Sequence, residues 1–141
     1  MAVVKHYRDL RVYQRAFEAA MQVFELSKSW PSEEKHSLTD QIRRSSRSVC
    51  GCIAEAWQKR RYVAHFVSKL SDASTEASET QVWLDFALRC GYMAREVHDR
   101  LYNEYEAMSA GLINMMARPI DWCGPANLVR EDPSEYVVED V

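Results

Sequence analysis

The sequence predicts an all-α chain: an up-down-up-down four-helix bundle followed by an irregular acidic C-terminal tail. Three observations lead there. Apolar residues recur at steps of three and four through most of the first 118 positions, the spacing of one helix face. Breakers are scarce, with four Gly and four Pro in 141 residues and three of the Pro at or beyond position 119. Four periodic segments of about 20–27 residues, joined by short links, bury their faces most simply as antiparallel neighbours.

Helix 1 is expected over residues 8–28, with Leu10, Tyr13, Phe17, Ala20, Met21 and Phe24 as its inward face. Pro31 ends it, because the residue before a proline is pushed out of the helical region. Helix 2 is expected over 33–58, with Ser32 as N-cap and Glu33 and Glu34 favourably placed in its first turn. Its buried stripe reads Leu38, Ile42, Ser45, Val49, Ile53, Ala56 and Trp57. A break is placed within 58–63. Beyond it the Phe66–Leu70–Ala73–Ala77–Leu84–Leu88 stripe is rotated roughly 80–90° from that of helix 2, so one straight helix could not face a single core through both. Helix 3 then spans 63–89, and Cys90-Gly91 supplies a left-handed stop. Helix 4 spans 93–117 on Val97, Leu101, Tyr105, Met108, Leu112, Met115 and Met116, and Pro119 ends it. Residues 1–118 thus form the bundle and 119–141 the tail, where Trp122 and Tyr136 are the residues able to dock locally.

Formal net charge is −3, but the tail carries six acids against Arg130 alone, while the body holds 17 bases and 15 acids. The body is therefore mildly basic, which whole-chain charge conceals. The N-terminus lacks the apolar run of a signal peptide, and no stretch approaches the ~20 apolar residues of a membrane helix. The expectation is a cytoplasmic protein without membrane association. Cys50, Cys52, Cys90 and Cys123 fit neither a zinc knuckle nor a C-x-x-C redox motif and read as buried reduced thiols.

No catalytic constellation emerges. A di-metal carboxylate site in a bundle needs two Glu-x-x-His pairs, and Glu33-x-x-His36 stands alone. Gly51, Gly91, Gly111 and Gly124 are isolated, so no phosphate loop is present, and no G-x-S-x-G context occurs. Neither metal nor cofactor is expected. Glu55, Glu76, Glu79 and Asp85 are expected to make polar contacts within the bundle or, for Glu55, with a neighbouring protomer.

The sharpest feature is basic. Arg43, Arg44, Arg47, Lys59, Arg60 and Arg61 lie between positions 41 and 61, with Glu55 the single acid. If the Ile42 stripe faces inward, Arg43, Arg44 and Arg47 fall roughly 100–200° away, on the outward side. Planar guanidinium groups bind phosphate bidentately, which makes these six residues a candidate nucleic-acid surface. The alternative is a solvated face or a set of inter-subunit salt bridges. The absence of exposed aromatics among them argues against base stacking. The small-residue run of Ser48, Gly51, Cys52 and Ala54, with Glu55, permits close approach of another helix and is the candidate oligomer interface.

Several segments together resemble one family. Asp9-Leu10-Arg11-Val12-Tyr13-Gln14-Arg15-Ala16 is similar to the opening of the bacterial four-helix bundle proteins, also called the 23S rRNA intervening-sequence protein family. Trp30-Pro31-Ser32-Glu33-Glu34 is similar to its aromatic-Pro turn, and Asp40-Gln41-Ile42-Arg43-Arg44-Ser45 to its second helix. Ile53-Ala54-Glu55-Ala56 resembles its I-A-E-G segment, with Ala56 in place of Gly. Glu79-Thr80-Gln81-Val82-Trp83-Leu84-Asp85-Phe86-Ala87 and Gly91-Tyr92 resemble the end of its third helix. The resemblance covers residues 8–117. It implies a four-helix bundle and homopentameric assembly, and one related group, the accessory proteins of diversity-generating retroelements, contacts nucleic acid.

The combined expectation is a non-enzymatic homo-oligomer, pentameric by resemblance, that contacts RNA, DNA or a ribonucleoprotein through helix 2. The alternative is a protein-interaction scaffold whose helix 2 arginines join subunits. A third reading is an enzyme with a site between subunits.

Overall fold

A computed structural model describes residues 4–123. Four long helices carry the chain: α1 (Arg11–Ser27), α2 (Leu38–Gln58), α3 (Val63–Arg89) and α4 (Arg95–Ala117), followed by the short α5 (Ile120–Cys123). Single 3-10 turns at Tyr7–Asp9 and Ser32–Glu34 precede α1 and α2. The described residues contain no strand. The helices pack cyclically, α1 on α2, α2 on α3, α3 on α4 and α4 on α1. The α2–α3 seam is the most extensive and α1–α4 the sparsest, which leaves α1 and α3 on one diagonal.

Helices α2, α3 and α4 run much as their periodicity predicts. All seven residues of the expected α2 stripe are buried. Helix α3 buries Phe66, Leu70, Ala73, Ala77 and Leu84, though Ala87 rather than Leu88 completes the stripe. Gly91 ends the α3 turn at φ +81°, with its N–H bonded to the Leu88 carbonyl and that of Tyr92 to the Ala87 carbonyl at 2.9 Å. This is a Schellman stop, in which glycine avoids the Cβ clash of the left-handed region.

Two expectations are corrected. Helix α1 is rotated from its predicted phase: Val12, Ala16, Ala19, Ala20 and Val23 are buried, while Phe17 and Met21 are 47% and 44% exposed. Alanines let α1 pack close to its neighbours, and a count weighted by large side chains chooses the wrong face. Helix α2 starts at Leu38 rather than 33, since Ser32–Glu34 is spent on the 3-10 turn. Ser32 therefore caps no helix. Glu34 takes that part instead, its Oε1 accepting a hydrogen bond from the Leu38 N–H at 3.3 Å.

The expected irregular stretch after 118 begins differently. Residues 120–123 form a helical turn, Cys123 is buried in the core, and Trp122 packs against it. Tyr136 and the five acids beyond Arg130 lie outside the described residues.

Candidate nucleic-acid interface and its surroundings

The six basic residues do not form one surface. Arg43 and Arg47 lie one turn apart on α2 and both reach the Phe24 ring of α1, with guanidinium carbons 4.8 and 5.6 Å from its centroid. Lys28 approaches the same ring to 4.8 Å. A cation over an aromatic face is held by the ring quadrupole, worth about 0.5–1 kcal/mol at exposed sites. Arg43 is held further: its Nε donates to Ser27 Oγ at 2.8 Å and its terminal nitrogen to the Phe24 carbonyl at 3.5 Å. It is half-buried at the α1–α2 seam rather than pointing freely outward. No carboxylate pairs with Arg43 or Arg47 among the described residues, and Lys28 meets exposed Glu25 at 3.2 Å. Arg44 is exposed and reaches Asp40 only at 3.9 Å.

Lys59, Arg60 and Arg61 sit at the opposite end of α2, about 24 Å along its axis from Arg43 at ~1.5 Å per residue. Arg60 lies flat on Trp57, 3.5 Å from the ring centroid, and its Nε donates to the Trp57 carbonyl at 2.9 Å. Burial lowers its pKa, partly offset by the adjacent Cys123. An exposed aromatic does stand here, contrary to the expectation: Tyr62 is 50% exposed, its ring tilted against that of His65 with centroids 5.4 Å apart.

The small-residue run divides between core and surface. Cys52 is buried, with its sulfur 3.9 Å from Ser48 Oγ. Gly51 is exposed, and a Cβ built there would meet nothing within 4 Å. Ala54 is half-buried, and Glu55 pairs with Lys69 of α3 at 3.3 Å.

Polar groups that periodicity passes over lie in the α2–α3–α4 interior. Thr80 and Ser45 are buried with their hydroxyls 2.8 Å apart. Gln81 donates to the Tyr102 carbonyl and to Glu106 across the α3–α4 seam. His98 is buried with Nε2 2.8 Å from Asp85 and Nδ1 2.8 Å from Asp99. Burial opposes its charge, but the bonds to Asp99 and Asp85 prevail and raise its pKa. A histidine in an apolar helical phase with an aspartate thirteen residues earlier was the available signal.

Glu33 and His36 are both exposed. Among the described residues no group of three His, Cys, Asp or Glu side chains is placed to hold a metal ion. No described helix is long and apolar enough to cross a membrane. Large apolar side chains are exposed in pairs on the diagonal helices, Phe17 and Met21 on α1 and Val82 and Phe86 on α3, and singly at Ile113 on α4 and Ile120 on α5.

Residues 8–114 match the family model described as 23S rRNA-intervening sequence protein. The chain is also similar to a crystal structure from Bacteroides thetaiotaomicron, a protein of unknown function from the S23 ribosomal protein family. The two are 31% identical with a TM-score of 0.68, over 75% of this chain and 95% of that one. Among curated proteins no match is found.

Proposed function

Since the chain belongs to the 23S rRNA-intervening sequence protein family, we propose that it acts without catalysis, as a cytoplasmic homo-oligomer, pentameric as the resemblance implies, that contacts the backbone of a nucleic acid or ribonucleoprotein. The observation that carries this reading is the convergence of Arg43, Arg47 and Lys28 on Phe24. Stacking and the Ser27 bond hold these cations before a ligand arrives, so less rotamer entropy is lost on binding. One subunit offers a modest patch, with Arg44 beside it. Repetition around a closed assembly multiplies it, and backbone contacts of this kind carry no sequence preference.

Electrophoretic or fluorescence titration across salt tests the reading. Each duplex phosphate neutralised contributes a slope near about −0.9 in log affinity against log salt. Replacing Arg43, Arg44 and Arg47 with Gln weakens binding to all sequences alike and flattens that slope. Absence of binding to RNA and DNA at low salt refutes it.

A second reading has its own support. The exposed apolar groups on α1 and α3 lie on diagonal helices and fit a head-to-tail contact between copies, the arrangement that closes into rings. A scaffold of that kind binds no nucleic acid, and where the helix 2 arginines are also inter-subunit contacts the triple Gln variant loses its assembly, which light scattering reads directly.

A further inference from the structure

At the corner where α1 gives way to α2, an open cleft of about 300 Å³ carries three cations and no acid on its walls. Lys28, Lys35 and Arg43 line it together with Ser32, Thr39, Trp30, Pro31 and Ser27, whose hydroxyl is already bonded to Arg43 and the Phe24 carbonyl. The Lys35 side chain is exposed, with no ion pair or hydrogen bond of its own among the described residues, and its backbone N–H donates to the Ser32 carbonyl. Arg43 is fixed by Ser27 but faces no carboxylate.

The acids nearby are engaged elsewhere or stand off the wall. Glu25 pairs with Lys28, Asp40 lies 3.9 Å from Arg44, and Glu34 accepts from the Tyr92 hydroxyl and the Leu38 N–H. Glu33 is exposed in the 3-10 turn and does not line the cleft. Thr39, in the first turn of α2, also lines the cleft, while Glu34 already serves the Leu38 N–H there. Trp30 is buried, and its indole N–H finds no acceptor among the described residues.

We propose that this cleft is a binding site for a single phosphate group, held by Lys35, Lys28 and Arg43 with the Ser32 and Thr39 hydroxyls as further donors. Phosphate presents several strong acceptor oxygens, and a three-cation, two-hydroxyl lining matches that demand. The site goes beyond the backbone contact proposed above: Lys35, Ser32 and Thr39 take no part in the Phe24 cluster. A free phosphate or small phosphomonoester and a phosphate carried by an oligonucleotide share this chemistry.

The test uses the full chain with inorganic phosphate as probe. Thermal unfolding in millimolar phosphate, compared with chloride at matched ionic strength, should show a rise of a few degrees once phosphate exceeds its Kd about tenfold. Lys35→Gln alters an exposed side chain without contacts and should keep the fold while reducing phosphate affinity about tenfold. Thr39→Val should reduce it less. The same proteins are then titrated with one oligoribonucleotide bearing or lacking a 5′-phosphate. If Lys35→Gln weakens only the phosphorylated form, the site takes terminal phosphate; if it weakens both, it takes a backbone diester; if it weakens neither while still lowering the affinity for inorganic phosphate, the site takes a small free ligand. A wild-type protein without a phosphate-specific shift, or a Lys35→Gln variant that keeps it in full, overturns the site. Oligonucleotide binding that survives such a result leaves the Phe24 cluster standing, and a phosphate shift without oligonucleotide binding does the reverse.

Discussion

Phe17→Ala separates the two halves of the structural argument, because Phe17 lies on the face that periodicity assigned to the core and the fold turns outward. Its 47% exposure, on a Phe that buries about 200 Å² when covered, leaves about 95 Å² for a partner to take out of water. At ~25 cal/mol per Å² that is about 2 kcal/mol for each interface containing it, or roughly a 30-fold change in subunit affinity. Within one subunit the substitution should cost far less than Phe66→Ala, since Phe66 is fully buried and such a deletion costs about 3–5 kcal/mol. Light scattering across a dilution series reads the first quantity and denaturant melts the second. The expected pattern is assembly lost at higher concentration in Phe17→Ala, with the unfolding slope preserved. Phe66→Ala should lower the midpoint sharply. If Phe17→Ala assembles as the wild type does at every dilution, α1 is no interface; if it destabilises as much as Phe66→Ala, the observed phase of α1 is wrong.

Three further outcomes are expected. Gly51→Ala meets open space in a helix interior and should add about 0.5–1 kcal/mol, whereas Gly91→Ala at φ +81° should cost about 1 kcal/mol; if Gly51→Ala instead breaks the assembly, the small-residue run of α2 is the interface. His98 has a raised folded pKa despite its burial, so its contribution is full below the unfolded value of about 6.5 and is lost as pH rises through the folded one. Urea melts of His98→Gln should therefore differ most from wild type at acidic pH, and a gap that widens upward would contradict the Asp85–His98–Asp99 arrangement. A limiting thiol reagent should label exposed Cys90 first, because Cys52 and Cys123 are buried and burial pushes the Cys50 thiol up to about 11; mass mapping decides.

How much the sequence told varied with what each helix buries. Helices α2 to α4 bury large aliphatic and aromatic residues at regular steps, so pattern and core coincide. Helix α1 buries Ala16, Ala19 and Ala20, which signal little by hydrophobicity, and its large residues stay outside. The 3-10 turn at 32–34 used the very signals that normally announce a helix start. For the basic surface, the outward side of α2 was readable from Ile42. The docking of Arg43 and Arg47 on Phe24 was not, since it depends on how far α1 and α2 are offset along their axes. The cleft at the corner was equally hidden, because Lys28 and Lys35 belong to separate turns whose meeting only the fold decides.

The Tyr92 hydroxyl donates to Glu34 at 2.8 Å, and its ring sits 5.8 Å from that of Trp30. The same Glu34 serves the first N–H of α2. A corner made early in the chain is thus fastened by a residue 58 positions later. On a ribosome, which delivers the chain from its N-terminus, the first hairpin emerges before Tyr92 is available to it. Its bond to Tyr92 can form only after α3 and its glycine stop have followed. The Tyr92–Glu34 bond and the packing of Tyr92 on Trp30 therefore join a corner among the first parts made to a residue that follows only after α3.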